Sequence, residues 1–513
     1  MSAIAKAWHN YTSVERRNIA IYIAGIMCYK LGLEFFNGSI TTLATDRFNA
    51  ARTFTKLGAA QGLNQAAQCV GGRTRTVLSI GIIMFAVMTA LLLIIRRGYW
   101  YFKDTETNTV RYGSWPPNLI FLIWTVSGIC YGMVELIRRV IPADIVGGNV
   151  NKLRRMDALV VKIAGTSGAF ASSSAISRWG NNYSFFLTPI FFAIAGLIWI
   201  FISVLNFDYN IGADEELEQA GLSNVERSKQ PSTNYLVLVF RGFLNFGESI
   251  WVGAKLIFTN RCFIWLLPAY SIALYLHRFL ENSLAPAFAK RVLETSAWSQ
   301  IIVGGSNFGE LLGAAAVLWL SSRVPTPIPW LRFDALALNI VWVLPAFAKI
   351  ATKDVTWAWK IAGCFIPISM GWAAGDVSLA AYIQSTLSQA EYQHPRVSPL
   401  GAVMAFLYAT YIVLNAVLST VLGTVFDADT KKNGKIYDSL ITVGGVHFTV
   451  ASAIVLGSTF IPRGALAFNP KQLGTIEQTR PHPVYSEDGS EPNEKPGDEE
   501  YNMKTSTSGK LTS

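Results

Sequence analysis

Two charged residues stand four positions apart inside the first apolar stretch of the chain, Lys30 and Glu34 in "YKLGLEFFNGSITTLATDRF". Side chains with this spacing lie on one face of an α-helix and can form an ion pair. An ionised side chain at the centre of a bilayer costs about 2.5–3.5 kcal/mol, so such groups face a partner or a water-filled cavity. The pair and the nearby Asn37 therefore predict a polar site inside a membrane bundle. The alternative is a pair near a helix end, with Lys30 reaching the membrane surface.

A second group of ionisable residues lies in "LYLHRFLENSLA", which contains His277, Arg278, Glu281 and Asn282. His277 and Glu281 are four residues apart. This spacing predicts a proton-exchanging couple, because a nearby carboxylate favours the protonated imidazole. Glu310 and Asp376 are isolated acids in other apolar stretches, and such acids are candidate proton carriers.

Two further polar groups have two interpretations each. Gln61, Asn64, Gln65 and Gln68 recur at helical spacing, which fits hydrogen bonds between helices as well as the lining of a cavity. Glu135 stands three residues before Arg138 and four before Arg139. If the helix ends at Arg139 these form a pair at the membrane edge, and otherwise one arginine could bind an anionic substrate through two hydrogen bonds.

The composition requires an environment other than water. Of 513 residues, 51% are hydrophobic and 15% are charged, and the mean hydropathy is +0.33. Soluble proteins carry about 25% charged residues. Apolar windows of about 20 residues predict an all-α membrane protein with twelve transmembrane helices, at 18–44, 54–72, 77–96, 117–137, 157–177, 183–205, 262–288, 297–322, 328–349, 355–387, 398–426 and 437–461.

Charge and cysteine usage exclude other classes. The net charge of +10 comes from basic residues at the ends of apolar runs rather than on one surface, which argues against a nucleic-acid partner. The five cysteines are single and show no metal-ligand spacing, so we expect no metal and no cofactor.

The order of apolar and polar stretches predicts two pseudo-symmetric six-helix bundles. A cytosolic N-terminal segment covers 1–17, the first bundle 18–205, a cytosolic linker 206–261, the second bundle 262–462 and a disordered acidic tail 463–513. Within the linker, Tyr235 to Phe258 is amphipathic and predicts a helix lying along the membrane surface. Parallel repeats of this kind are typical of transporters, whose substrate site lies between the repeats.

Internal similarity supports the duplication. Polar and glycine residues of the first half recur in the second half at offsets of 239 to 247 residues. The matched pairs are Glu34 with Glu281, Asn37 with Asn282, Gly62 with Gly305, Asn64 with Asn307, and Glu135 with Asp376.

With these motifs, the chain resembles the major facilitator superfamily over about residues 18–462, and "LGLEFFNGSITTLATDRF" resembles a poorly characterised fungal branch of it. The resemblance implies cytosolic termini and alternating access to a cavity lined by spans 1, 4, 7 and 10. The family motif between spans 2 and 3 appears only in part: "GGRTRTVL" keeps Gly72, Arg73 and Arg75 but has no aspartate. The glycine-proline motif of drug–proton antiporters is missing from span 5, which reads "GTSGAFASSSAIS".

Span 2 also departs from its repeat partner in length. Nine positions separate Asn64 from Arg73, whereas sixteen separate Asn307 from Arg323. At a rise of 1.5 Å per residue, the part of span 2 that follows Asn64 is about 10 Å shorter than the part of span 8 that follows Asn307. We predict that span 2 is short, tilted or lacks a segment, and a gene-model omission would leave the same pattern.

The predicted function is secondary active transport of a small organic solute, coupled to protons, with export slightly favoured over import. Clustered His/Asp groups or a nucleophile elbow would indicate an enzyme, and the sequence contains neither. The alternatives are a transporter-like sensor or inactive family member without transport, and a nutrient or sugar importer. We expect a monomeric multi-pass protein of the plasma membrane, or else of a vacuolar or other organelle membrane. Asn182 in "NYS" would then be a glycosylation site outside the cell.

Overall fold

A computed structural model describes residues 12–48, 52–67, 82–91, 116–146, 163–176, 178–179, 184–201, 235–321, 323–389, 399–471 and 473. Within these ranges the regular structure is helical throughout. In the first half the helices are α1 Ser13–Arg47, α2 Thr53–Ala67, α3 Ile82–Leu91, α4 Leu119–Val146, α5 163–176 and α6 Leu187–Ile200. They lie at the first six predicted spans.

The linker and the second half continue the pattern. α7 is Tyr235–Thr259, and the last six predicted spans correspond to α8 Arg261–Arg291, α9 Ser296–Leu320, α10 Ile328–Ala348, α11 Val355–Gln389, α12 Pro399–Asn433 and α13 Tyr437–Ser458. Among the described residues, seven helices are long and apolar enough to cross a membrane: α1 and α8 to α13. Three shorter apolar helices lie at Ile82–Leu91, Leu119–Gly132 and Leu187–Ile200.

The outer surface is apolar. Along α12, Val413, Val417 and Val421 recur every fourth residue and are each more than half exposed. Trp319 at the end of α9 is 90% exposed. Such a row costs free energy in water but is what a helix facing lipid requires. The exposed valines therefore indicate the lipid-facing side of α12.

Aromatic residues hold α1 against α6. The Phe192 ring stacks on Phe85 at 4.3 Å between centroids and lies 5.9 Å from Tyr29. Trp199 packs over Gly25 and its indole N–H donates to the Tyr22 carbonyl at 3.3 Å. A Cβ at Gly25 would overlap the indole ring, so the close packing of α6 on α1 requires glycine at this position.

A row of glycines brings α9 into backbone contact with α11. Cβ atoms built on Gly305, Gly309 and Gly313 would collide with the carbonyl groups of Ala362, Ile366 and Met370, in that order. Small residues at every fourth position are the usual means of close helix packing in membranes. The contact fixes the part of α9 that contains Ser306 and Asn307.

Helix α8 is not a uniform α-helix. Leu267–Ile272 and Leu280–Leu284 are π-helical, and the α-helical Ala273–Phe279 lies between them. A π-helical turn contains one more residue than an α-helical turn and often marks a functional site. Arg278 and Glu281 stand on either side of the start of the second π-helical stretch.

The amphipathic linker segment is helical as predicted, and it contacts the second half directly. Gly253 packs against the Ala402 carbonyl at the start of α12, and the Phe258 ring lies edge-on to Phe406 at 5.8 Å. Trp251 on the same helix is 73% exposed. The helix thus packs on α12 with one side and leaves an aromatic residue outside.

The predicted disordered tail from residue 463 starts too early. Arg332 in α10 is buried and donates to the carbonyls of Ala465 and Ala467 as well as to Thr459. Its guanidinium also stacks over the Phe460 ring at 4.1 Å. These bonds order the chain just after α13, because the carbonyls there have no helix to satisfy them.

Part of the span 2 prediction lies outside the described residues. Helix α2 is described for 15 residues, to Ala67, and residues 68–81 are not among the described ones. The predicted shortening of span 2 therefore stays a prediction, and Gln68 lies outside the described part.

Candidate functional site

The ion pair predicted in the first helix is present. Lys30 Nζ lies 3.5 Å from Glu34 Oε1, and both residues stand in the middle of α1 rather than at its end. Asn37, one turn further on the same face, is exposed although the residues around it are buried. This face of α1 therefore combines an ion pair with an accessible amide.

The Glu34 carboxylate is bound from the other half of the molecule. Asn307 in α9 donates through Nδ2 to Glu34 Oε2 at 3.3 Å and to the Gly165 carbonyl of α5 at 3.5 Å. One amide thus joins α1, α5 and α9. The bond between Asn307 and Glu34 is a direct polar contact across the interface between the halves.

Glu281 has an equivalent arrangement within the second half. Arg278 Nη1 lies 3.1 Å from Glu281 Oε2, and Ser306 Oγ donates to Glu281 Oε1 at 2.5 Å. Ser306 also lies 2.6 Å from the Ser369 hydroxyl of α11. Because Ser306 uses its hydrogen on the carboxylate, Ser369 is the donor in that pair.

The two glutamates meet at neighbouring residues of one helix. Glu281 contacts Ser306 and Glu34 contacts Asn307, and Glu310 lies one turn further along α9. Glu34 is within electrostatic reach of both Glu281 and Glu310. With all side chains ionised, these three carboxylates exceed the two cations Lys30 and Arg278 by one negative charge. Uptake of one proton would make this set neutral.

The predicted couple of His277 with Glu281 is wrong. His277 Nε2 lies 2.8 Å from Asp334 Oδ1 in α10, and its ring stacks on Trp372 at 5.2 Å. Both His277 and Asp334 are buried inside the second half. The π-helical stretch that begins at Leu280 changes the helical spacing between His277 and Glu281, so the simple i,i+4 argument fails there.

The amides of α2 act chiefly between helices. Gln61 Nε2 donates to the Asn282 carbonyl at 2.7 Å, and the Ser283 hydroxyl lies 3.5 Å from Gln61 Oε1. Asn64 Nδ2 donates to the Trp124 carbonyl of α4 at 2.6 Å. Gln61 therefore joins the two halves, while Asn64 holds α2 to α4. Gln65, which directly follows Asn64, is half-buried.

The structure gives less information on the remaining predicted residues. Asp376 in α11 is half-buried. The side chains of Glu135 and Arg138 lie outside the described residues, although the α4 backbone continues past them to Val146. Asn182 also lies outside the described residues, so its glycosylation stays a prediction.

A second set of contacts between the halves lies at the ends of α1 and α8. Lys290 Nζ is 2.5 Å from Asp46 Oδ1, and the Ser296 hydroxyl is 3.3 Å from the same oxygen. Asp427 of α12 accepts from the backbone N–H groups of Phe54 at 3.0 Å and Thr55 at 2.9 Å. The carboxylate thus caps the N-terminus of α2 from the opposite half.

Apolar contacts support this capping arrangement. Phe54 lies 5.7 Å from the Phe426 ring, and the Arg291 guanidinium stacks over Phe54 at 5.7 Å. Gly58 and Gly423 allow the backbones of α2 and α12 to touch. We define Asp46, Lys290, Asp427, Phe54 and Thr55 as the end contact; it is closed in this structure. The sequence analysis missed it because its members are ordinary helix-end residues.

Comparison with known proteins gives the fold. No protein-family model and no curated protein matches the sequence. Solved structures do match: the nucleoside transporter NupG, with 13% identity and a TM-score of 0.55, covers 87% of this chain and 99% of its own length. A D-xylose–proton symporter has 12% identity and a TM-score of 0.56, covering 89% and 98%.

The peptide transporter POT, in complex with sulfate, has 11% identity and a TM-score of 0.57 and covers 86% of this chain and 94% of its own. At these identities the likeness shows the fold alone. It confirms the predicted all-α membrane fold. The fungal branch stays a prediction.

Proposed function

We propose that this protein is a secondary active transporter that moves a small organic solute through the interface between its halves, with protons as the coupling ion. The observation that carries the proposal is the meeting of Glu34 and Glu281, one from each half, at the adjacent residues Ser306 and Asn307. Burying charges from two bundles at one interface is expensive unless solute or protons bind there.

The end contact supports alternating access. Lys290 and Asp427 join the second half to the first at the end of the molecule where α1 finishes and α2 begins. If the N-terminus is cytosolic, as the family resemblance implies, this end faces outside. The structure then corresponds to a state closed on the outside, and the opposite state requires these bonds to break.

The charge set supplies a way to couple the steps. One carboxyl among Glu34, Glu281 and Glu310 can take up a proton and make the set neutral, and a neutral set crosses between the two states more easily than a charged one. Accumulation of solute would then follow the proton gradient. The rival, a sensor without transport, would bind a solute but would not accumulate it.

The test uses the full-length protein in liposomes, with a proton gradient imposed inward in one set and outward in another, so that both proton–solute cotransport and exchange are covered. A defined mixture of sugars, nucleosides, amino acids, organic acids and amines is added, and the lumen is analysed by mass spectrometry. We expect at least one solute to accumulate above its external concentration, and a protonophore to abolish this. Glu34→Gln and Glu281→Gln should each reduce accumulation to the level of protein-free liposomes.

Glu294→Gln is the matched control, because Glu294 is exposed and pairs only with the exposed Lys353 among the described residues. It should accumulate solute like the wild type. The proposal is wrong if the wild type accumulates nothing from the mixture. It is also wrong if both interface variants accumulate solute normally.

A further inference from the structure

In both ion pairs at the interface the cation is more exposed than the carboxylate. The Lys30 side chain is 19% exposed and that of Glu34 is 5% exposed, while the corresponding values for Arg278 and Glu281 are 39% and 7%. In both pairs the carboxylate is turned into the protein and the cation faces outward from it. A solute entering here meets positive charge first.

The exposure of Arg278 is unusual for its place in the helix. Its neighbours Leu276, His277, Phe279 and Leu280 are all buried. Half-exposed residues follow one turn later at Asn282 and Ser283, on the same side. Gln61 of α2 contacts both Asn282 and Ser283, so this strip of α8 faces the first half rather than lipid.

Arg278 has hydrogen-bond donors to spare. Within the described part of the chain it donates to Glu281 through Nη1, and a guanidinium has five N–H groups. Its planar fork matches a carboxylate in a two-point arrangement that lysine cannot reproduce. The free side of Arg278 is thus suited to a carboxylate from a ligand.

A second observation points the same way. The Tyr411 hydroxyl of α12 is completely buried and has no hydrogen-bond partner among the described residues. It is within electrostatic reach of Arg278 and Glu281. Buried hydroxyls are nearly always hydrogen-bonded. A ligand oxygen held by Arg278 would provide Tyr411 with an acceptor.

We propose that the solute carried by this protein is an organic carboxylate, bound by the guanidinium of Arg278 with the Tyr411 hydroxyl as a further donor. Lys30 supplies the second positive charge, from the opposite half. The assignment rests on the proposed function, whose site it specifies. It makes Glu281 a competitor of the solute, since both use the same guanidinium.

The experiment measures binding to purified full-length protein in detergent by its shift in melting temperature. The probes are benzoate, phenylacetate, succinate and citrate, each beside its neutral amide, with benzylamine and putrescine as cations. Concentrations extend to about 10 mM, above the usual range of transport and Michaelis constants. We expect at least one acid to stabilise the wild type at a concentration where its amide and the amines do not.

Two variants should change binding in opposite directions. Arg278→Gln should weaken binding of that acid at least tenfold, about the loss expected for charge-assisted hydrogen bonds. Glu281→Gln should strengthen it at neutral pH, because the competing carboxylate is gone. A general folding defect would weaken binding in both, so opposite signs separate recognition from damage. Arg278→Lys should restore only part of the affinity.

Arg323→Gln is the control, since Arg323 is exposed at the end of α9; it should bind like the wild type. The inference fails if no acid stabilises the protein, if amides or amines stabilise it as well as the acids do, or if Arg278→Gln binds the acid normally. Liposome accumulation of a neutral or cationic solute would overturn the carboxylate assignment and leave the transport proposal intact.

Discussion

Glu34 and Glu281 have similar surroundings but different attachments. Each has a cation on the preceding turn of its own helix and a polar partner on α9. Glu281 finds that partner, Ser306, inside its own half, where the glycine row fixes α9 against α11. Glu34 finds Asn307 across the interface between the halves.

Because of this difference, a relative movement of the two halves affects the two contacts differently. The Glu281 contact stays intact whatever the relative position of the halves, because both of its partners move with it. The Glu34 contact must break if α1 and α9 separate. The Glu281 contact is therefore independent of the relative position of the halves, whereas the Glu34 contact exists only in conformations that keep α1 against α9.

The largest expected effect comes from disrupting one half alone. Arg332→Gln removes the guanidinium that binds the carbonyls of Ala465 and Ala467, and two bonds to a charged group stabilise by about 3 kcal/mol or more. We expect a large fall in melting temperature and faster proteolysis after Phe460. The exposed Lys435→Gln should leave both unchanged.

This variant also tests whether contacts within the second half influence how far apart the two halves lie. With spin labels at positions 52 and 432, both exposed near the end contact, the distance distribution of the folded Arg332→Gln protein should match the wild type. A changed distribution would show that contacts within one half control the separation of the halves.

A middle-sized effect is expected when the end contact is weakened. Asp427→Ala leaves the N–H groups of Phe54 and Thr55 without their cap. Loss of an N-terminal cap costs about 1–2 kcal/mol, which changes a population ratio about 5- to 30-fold. The same spin labels should then show a longer distance.

Asp438→Ala is the matched control, because it removes an exposed aspartate in the first turn of α13. Its distances should equal those of the wild type. An unchanged distribution in Asp427→Ala would mean that the carboxylate cap does not hold the two halves together.

The smallest effect separates adjacent residues of α9. Asn307→Ala removes the bond to Glu34 across the interface, and Ser306→Ala removes the bond to Glu281 within one half. We expect Asn307→Ala to remove about 1 kcal/mol of stabilisation from the closed state. The ratio of the long-distance to the short-distance population should then rise about fivefold. Ser306→Ala should leave the distribution unchanged. Equal shifts in both variants would contradict the distinction between the two glutamates.

Much of the fold and the first ion pair could be predicted from sequence because both follow local rules. Apolar windows located the helices, and the i,i+4 spacing of Lys30 and Glu34 gave their contact. The duplicated pattern also pointed to Glu281 as the counterpart of Glu34. These features depend on residues close together in sequence or on a repeated register.

Contacts between distant helices could not be predicted in the same way. Asp334 and His277 are 57 residues apart, and the cap on α2 comes from Asp427, more than 370 residues away. The acid Asp334 in the apolar stretch "WLRFDALAL" was a signal that the sequence analysis did not use. Nothing in spacing alone could identify its partner, because the partner depends on how α8 and α10 pack.

The π-helical stretch at Leu280–Leu284 has a consequence for the whole of α8. Its additional residue turns everything beyond it by about 100° relative to an unbroken α-helix. A natural one-residue deletion here would keep Arg278 in place but rotate Lys290 away from Asp46. Such a variant would keep the part of α8 that contains Arg278 in place but lose the Lys290–Asp46 part of the end contact, so a change of length in this segment separates the two ends of the helix.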